Sequence, residues 1–196
     1  MYQVFSCISQ QHDWRFVALA GLVCFLSAFA AIHLFCRGRP RGGMQARWLA
    51  TASLLTGWGV WATHFICMLA YRPGVEIAFD IPLTIYSLAA AIGLSAAGFY
   101  VALGDSTRFA APAGGAILGF GVASMHYVGI AALEAPARLA WSAPLVVASV
   151  VLAVCLGAAA LTMARLEGIA ARYLAAATLC LAVLALHFTA MSAAAR

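Results

Sequence analysis

Three histidines stand in apolar surroundings, each in nearly the same phrase: "WATHFICMLAY" at 61–71, "ASMHYVGIAAL" at 123–133 and "ALHFTAMSAA" at 185–194. His64 and His126 are 62 residues apart, and His126 and His187 are 61 apart. Met68 and Met191 follow their histidines at i+4, which on a helix puts imidazole and thioether on one face, a turn apart. Cys67, at i+3, shares that face. Met125 directly precedes His126 and points about 100° away around the helix. Imidazole with thioether is a ligand set for copper, above all Cu(I), and a poor one for zinc, magnesium or calcium. The candidate ligands are therefore His64, Met68, Met125, His126, His187 and Met191, with Cys67 and His12 as further candidates. A lone histidine inside a span is read equally well as a packing residue bonded to a neighbouring helix, and a lone methionine as a gap-filler. Three ionisable side chains at matching positions point to function, because each is costly in hydrocarbon. His33 also lies in an apolar stretch but has no counterpart, so packing suffices for it.

The elements that must hold these residues are membrane helices. Of the 196 residues, 65% are hydrophobic and 9% charged, and the mean hydropathy is +0.99. Soluble domains carry about 25% charged residues. Six stretches reach the roughly 20 apolar residues that a span takes: Trp14–Cys36, Trp48–Tyr71, Pro82–Leu103, Ala113–Leu133, Ala143–Met163 and Tyr173–Ala194. Trp14, Trp48, Tyr71, Trp141 and Tyr173 fall near the ends, as an interfacial belt would. Pro82 and Pro144 fit first-turn positions, where a missing N–H costs nothing. No cleavable signal peptide precedes the first apolar run. The expected fold is all-α: a polytopic bundle of about six spans, forming one domain over 1–196.

The chain repeats internally, over approximately 14–71, 82–133 and 143–194. Gly57 and Gly119 stand seven residues before their histidines, Gly59 and Gly121 five before, and Pro82 and Pro144 eighteen after. Two spans per repeat give successive repeats the same orientation, hence a pseudo-threefold arrangement about the membrane normal. Such an arrangement brings three histidines to one depth. Gly57 and Gly119 are expected to let the histidine-bearing faces approach closely; the third repeat has Cys180 there. All 11 basic residues are arginine. Arg37, Arg39, Arg41, Arg47, Arg108, Arg165 and Arg172 flank the odd-to-even loops. Arg15, Arg72, Arg138 and Arg196 lie on the other side. This bias predicts an outside N-terminus, with the histidines toward the outer ends of the even spans. Arginines flanking spans are orientation signals and lipid contacts, not a nucleic-acid surface.

Several classes are disfavoured. There is no P-loop, no usable GxGxxG, no nucleophile elbow and no HExxH motif, so no enzyme activity is expected. The carboxylates that a proton relay through the bilayer needs are missing. Glu76, Asp80, Asp105, Glu134 and Glu167 fall in or beside loops, with Asp80 read as a helix cap and Asp13 as the cap of the first span. The six cysteines form no CxxC pair and read as small hydrophobes. Cys7 and His12 precede the first span in what reads as a flexible N-terminus.

Together, "THFICM", "SMHYVGIAAL" and "LHFTAM" on alternate spans resemble the MHYT domain family of bacterial integral-membrane sensors, over essentially the whole chain. The resemblance implies a sensory module of the bacterial cytoplasmic membrane that binds copper through His and Met residues and perceives oxygen, carbon monoxide or nitric oxide; a change in copper redox state is the other signal expected of such a site. In that family it commonly precedes domains that make and break cyclic di-GMP. Carried onto this chain, the motif residues are His64 and Met68, Met125 and His126, and His187 and Met191. There are departures: Thr63 and Leu186 replace the leading Met, and Ile130 replaces the trailing Met of the second phrase. The family is usually described with seven spans; six are legible here. Copper transport, haem ligation by two of the histidines, and purely structural histidines are the competing readings.

Overall fold

The computed structural model describes residues 12–38, 44–71, 78–104, 108–134 and 140–195. Cys7, Arg39, Arg41, Arg72, Glu76, Asp105, Arg138 and Arg196 lie outside them. Six helices follow in order: α1 (Trp14–Gly38), α2 (Gln45–Ala70), α3 (Ile81–Ala102), α4 (Ala110–Ala131), α5 (Ala143–Met163) and α6 (Ile169–Ala193). All six are long and apolar enough to cross a membrane. Each expected span thus corresponds to a helix, with ends shifted by four residues or fewer.

The helices form a ring. Each packs on its neighbours in sequence, and α1 closes the circle on α6. Within it they alternate in depth. In α1, α3 and α5 only 28, 33 and 28% of the apolar stretch is buried; in α2, α4 and α6 it is 56, 61 and 61%. The histidine-bearing helices are therefore the inner three, and the others face lipid. Small residues make this layering possible. A Cβ on Gly57 would fall on Ile92 of α3, and one on Gly119 would fall on the Ala153 and Val154 backbone of α5. Gly59 and Gly121 press on Ser27 of α1 and Leu94 of α3. Cys180, where the third repeat lacks glycine, sets its Sγ 3.9 Å from the Gly21 carbonyl of α1. These positions seat α2 against α3 and α1, α4 against α5 and α3, and α6 against α1. They do not draw the histidine faces together, as the sequence had suggested. The reason is topological: the glycines lie on the flanks of the inner helices, not on the face turned to the axis.

The end nearer the histidines is stitched three times in the same way. His12 bridges Tyr71; β1 (Ala78–Phe79) pairs with β2 (Leu133–Glu134); and β3 (Ala140–Trp141) pairs with β4 (Ala194–Ala195). In each case the entry to an outer helix runs antiparallel to the exit of an inner one. The next amide then donates to an alanine carbonyl: Asp13 to Ala70 at 3.0 Å, Asp80 to Ala132 at 2.8 Å and Ser142 to Ala193 at 2.9 Å. Asp80 caps α3 by accepting from the Leu83 amide at 2.7 Å, and Asp13 accepts from the Arg15 amide at 3.0 Å. Tyr71, at the end of α2, packs against Met68 and Met191. At the opposite end Arg172 donates to His33 Nδ1 at 3.1 Å, and Arg165 ties the Ala102 and Gly104 carbonyls at 2.9 Å each. His33 is thus tied to α6 at the end away from the other histidines.

Candidate metal centre

His64, His126 and His187 each stand five or six residues before the end of an inner helix. At 1.5 Å per residue that is about 9 Å from the helix end. Because the inner helices are equivalent, the three imidazoles meet on the axis. Their ring centroids are 4.8, 5.4 and 5.2 Å apart, and every pair is near perpendicular, at 83°, 71° and 85°. Each ring is 1–2% exposed.

The hydrogen-bond count is incomplete in an informative way. His64 and His126 approach through Nδ1 at 3.0 Å, so as neutral imidazoles one donates to the other. His64 Nε2, His126 Nε2 and both nitrogens of His187 have no hydrogen-bond partner among the described residues. Leaving such a group buried and unpaired costs about 1–3 kcal/mol each. One ligand atom from each histidine lies within 4.8 Å of the other two. A metal ion at about 2.0 Å from three nitrogens sets them about 3.5 Å apart, which small side-chain rotations reach from here. The donor set and its lone pairs fit a metal ion.

The layers around the centre are apolar. Four residues before the histidines stand Val60, Val122 and Val183, all buried in the main core. Four residues after them Met68, Ile130 and Met191 form a second cluster, with Tyr71, Phe79 and Leu133 packed on it. Met68 and Met191 thus share the layer next to the imidazoles. Met125 instead packs in the main core, and Cys67 packs with Ala20 and Phe188 between α1 and α6. His12 departs most from the expected flexible N-terminus: it is buried, and its ring lies 6.1 Å from that of His187. Its backbone pairing with Tyr71 fixes it there, a constraint that depends on the fold and not on local sequence.

Gly129 escaped the sequence reading. A Cβ there would stand 2.8 Å from His64 Nε2. The residue makes room for the imidazole, and the only local signal was one more glycine in "HYVGIAAL".

A six-span, pseudo-threefold membrane bundle enclosing a buried three-histidine centre is the class that these features define. The model of the family described as "Bacterial signalling protein N terminal repeat", MHYT, matches residues 57–115 and 119–177. The chain belongs to the MHYT family. It is 38% identical over 98% of its length to an uncharacterized signaling protein of Caulobacter vibrioides, covering 24% of that protein. It is 32% identical over 91% and 90% of its length to two Pseudomonas aeruginosa proteins, the bifunctional diguanylate cyclase/cyclic di-GMP phosphodiesterase MucR and the cyclic di-GMP phosphodiesterase NbdA. It covers 27% and 24% of these, so the chain spans about a quarter of the length of the curated relatives it matches. No solved structure matches it. The family repeat begins at Gly57 and again at Gly119, so the two matches join α2 to α3 and α4 to α5.

Proposed function

We propose that this multi-pass membrane protein is a sensory module whose three central histidines hold a copper ion. The observation that carries the reading is the group of unpartnered imidazole nitrogens converging at 1–2% exposure. A structural role alone would bond those nitrogens within the protein. Met68 and Met191, one turn along the same helices, are the thioether donors, and they favour Cu(I). Met125 and Cys67 are weaker candidates because their side chains pack in other clusters. Haem needs a flat slot between two axial histidines, and here the third imidazole fills that space.

Copper bound there would supply an open coordination position for oxygen, carbon monoxide or nitric oxide, or a redox couple. The three histidines link that event to the fold, since each belongs to a different repeat. A change in the distance between any two shifts one helix pair against another. The relatives with cyclic di-GMP activities suggest that such a shift is read by cyclic di-GMP turnover. Arg37, Arg47, Arg108, Arg165 and Arg172 gather at the end opposite the histidines, which supports an extracytoplasmic centre in a bacterial cytoplasmic membrane. Transport across the bilayer is less well supported: Val60, Val122 and Val183 close the centre on the side toward the arginines.

The test is copper content after purification without a histidine tag. Wild-type protein is expected to retain copper, and the His64/His126/His187→Ala variant to lose it. Equal metal in both would sink the reading. Gly129→Ala sharpens it. The new methyl displaces His64 without removing a ligand, so Cu(I) affinity is expected to fall about 10-fold or more, as for other groups that only position a ligand. Competition with a chromogenic Cu(I) chelator measures it, and an unchanged affinity would contradict the placement of His64.

A further inference from the structure

Around the three histidines runs a ring of aromatic pairs that repeats with the fold. Phe65 pairs with Phe79 at 5.1 Å between ring centroids, Tyr127 with Trp141 at 5.8 Å, and Phe188 with His12 at 5.3 Å. The first member of each pair directly follows a central histidine. The second directly precedes Asp80, Ser142 or Asp13, the residue that starts an outer helix. His12, Phe79 and Trp141 are therefore equivalent positions, and only one of them carries a nitrogen able to bind a metal. Phenyl has none, and the indole N–H is a donor only.

His12 also bridges the surface and the centre. It is 8% exposed, against 1–2% for the three histidines, and Trp14, two residues on, is 73% exposed. Its ring meets that of His187 edge-on, with 6.1 Å between centroids and an interplanar angle of 79°. It stands outside the near-equilateral triangle that His187 makes with His64 and His126, whose sides are 4.8–5.4 Å.

We infer that His12 is the entry ligand of the centre: an ion arriving at this face binds His12 first and passes by way of His187 to the three-histidine site. The inference rests on the reading of the centre as a metal site. Transfer is ligand exchange, one nitrogen replacing another, with no change of oxidation state. A bare cation among apolar side chains is costly, so a donor placed between the surface and the centre lowers the barrier to loading. The equivalent points at Phe79 and Trp141 offer no such step, which makes the route single-sided in a bundle that is otherwise threefold. The Met68, Ile130 and Met191 layer, with Tyr71, Phe79 and Leu133 on it, covers the centre from the same end, and His12 reaches His187 at its edge.

The experiment follows Cu(I) uptake by metal-stripped protein in detergent. The ion is supplied as its bicinchoninate complex, whose absorbance falls as copper leaves. His12→Phe and His12→Trp install the residues found at the two equivalent positions, so the aromatic pair with Phe188 is kept, and a thermal melt of each checks the fold. The expected result is uptake at least 10-fold slower in both variants, with final copper per chain and the nitrogen shell in copper X-ray absorption unchanged. Rates equal to wild type, with normal loading, overturn the entry role and leave the metal centre standing. Reduced final loading or a smaller nitrogen shell overturns it by making His12 a fixed ligand. Wild-type protein that takes up no copper overturns the entry role and the metal reading together.

Discussion

His126→Ala is expected to abolish the proposed copper binding while leaving the bundle folded. His126 completes the triangle: its ring is 4.8 Å from that of His64 and 5.2 Å from that of His187. Without it two imidazoles remain, those of His64 and His187. Groups that merely orient a ligand are worth about 10- to 100-fold in affinity, so loss of a ligand is expected to exceed 100-fold. The fold suffers less. The variant opens a small cavity and takes from His64 Nδ1 its bond to His126, but it also removes one buried nitrogen with no partner among the described residues, His126 Nε2. These oppose each other, and a net loss within about 2 kcal/mol is expected. Chelator competition reads the first quantity and a thermal melt in detergent the second. His33→Ala is the control: His33 accepts from Arg172 at the far end, so copper binding is expected to stay at the wild-type level.

Gly119→Ala is expected to do the reverse, damaging the fold first and the site with it. An added Cβ would fall on the Ala153 carbonyl and the Val154 Cα. These are backbone atoms in the middle of α5, so no side chain can turn aside, and α4 and α5 must separate. Overpacking of this kind costs about 1–3 kcal/mol, and contact with a rigid backbone puts it at the upper end. In lipid the loss is felt fully, because close packing and not hydrophobic burial holds the helices together. Gly93→Ala provides the comparison. Nothing stands within 4 Å of a Cβ there, so the same change in a lipid-facing helix is expected to be neutral or to stabilise by up to about 1 kcal/mol. Melting temperatures of the two variants in one detergent separate these outcomes.

The contrast also marks what the sequence makes legible. The six spans follow from composition and length, and the histidine register from counting, because both are local properties of the chain. The convergence of His64, His126 and His187 was within reach, since repeats of like orientation imply an axis and equal depth. Which helices lie inside was not. That depends on which flank of an inner helix meets which outer one, and Gly57 and Gly119 can be assigned to α3 and α5 only once the ring is closed. The order of His12 is illegible for the same reason. A histidine ahead of the first span gives no local sign of order, and it is held by an antiparallel pairing with Tyr71, 59 positions away. The equivalence of His12, Phe79 and Trp141 rests on three such pairings, each between segments distant in sequence. Gly129 was hidden because its purpose is space for a ring on another helix.

Copper X-ray absorption on the wild-type protein, loaded with Cu(I) in detergent and free of any histidine tag, tests the central claim most directly. The predicted spectrum has a shell of three nitrogen scatterers at about 2.0 Å, with the outer-shell pattern of imidazole rings. A sulfur contribution at longer distance would assign Met68 or Met191 as a further ligand. A protein that holds no stoichiometric copper, or copper whose nearest shell contains no imidazole nitrogen, would contradict the account.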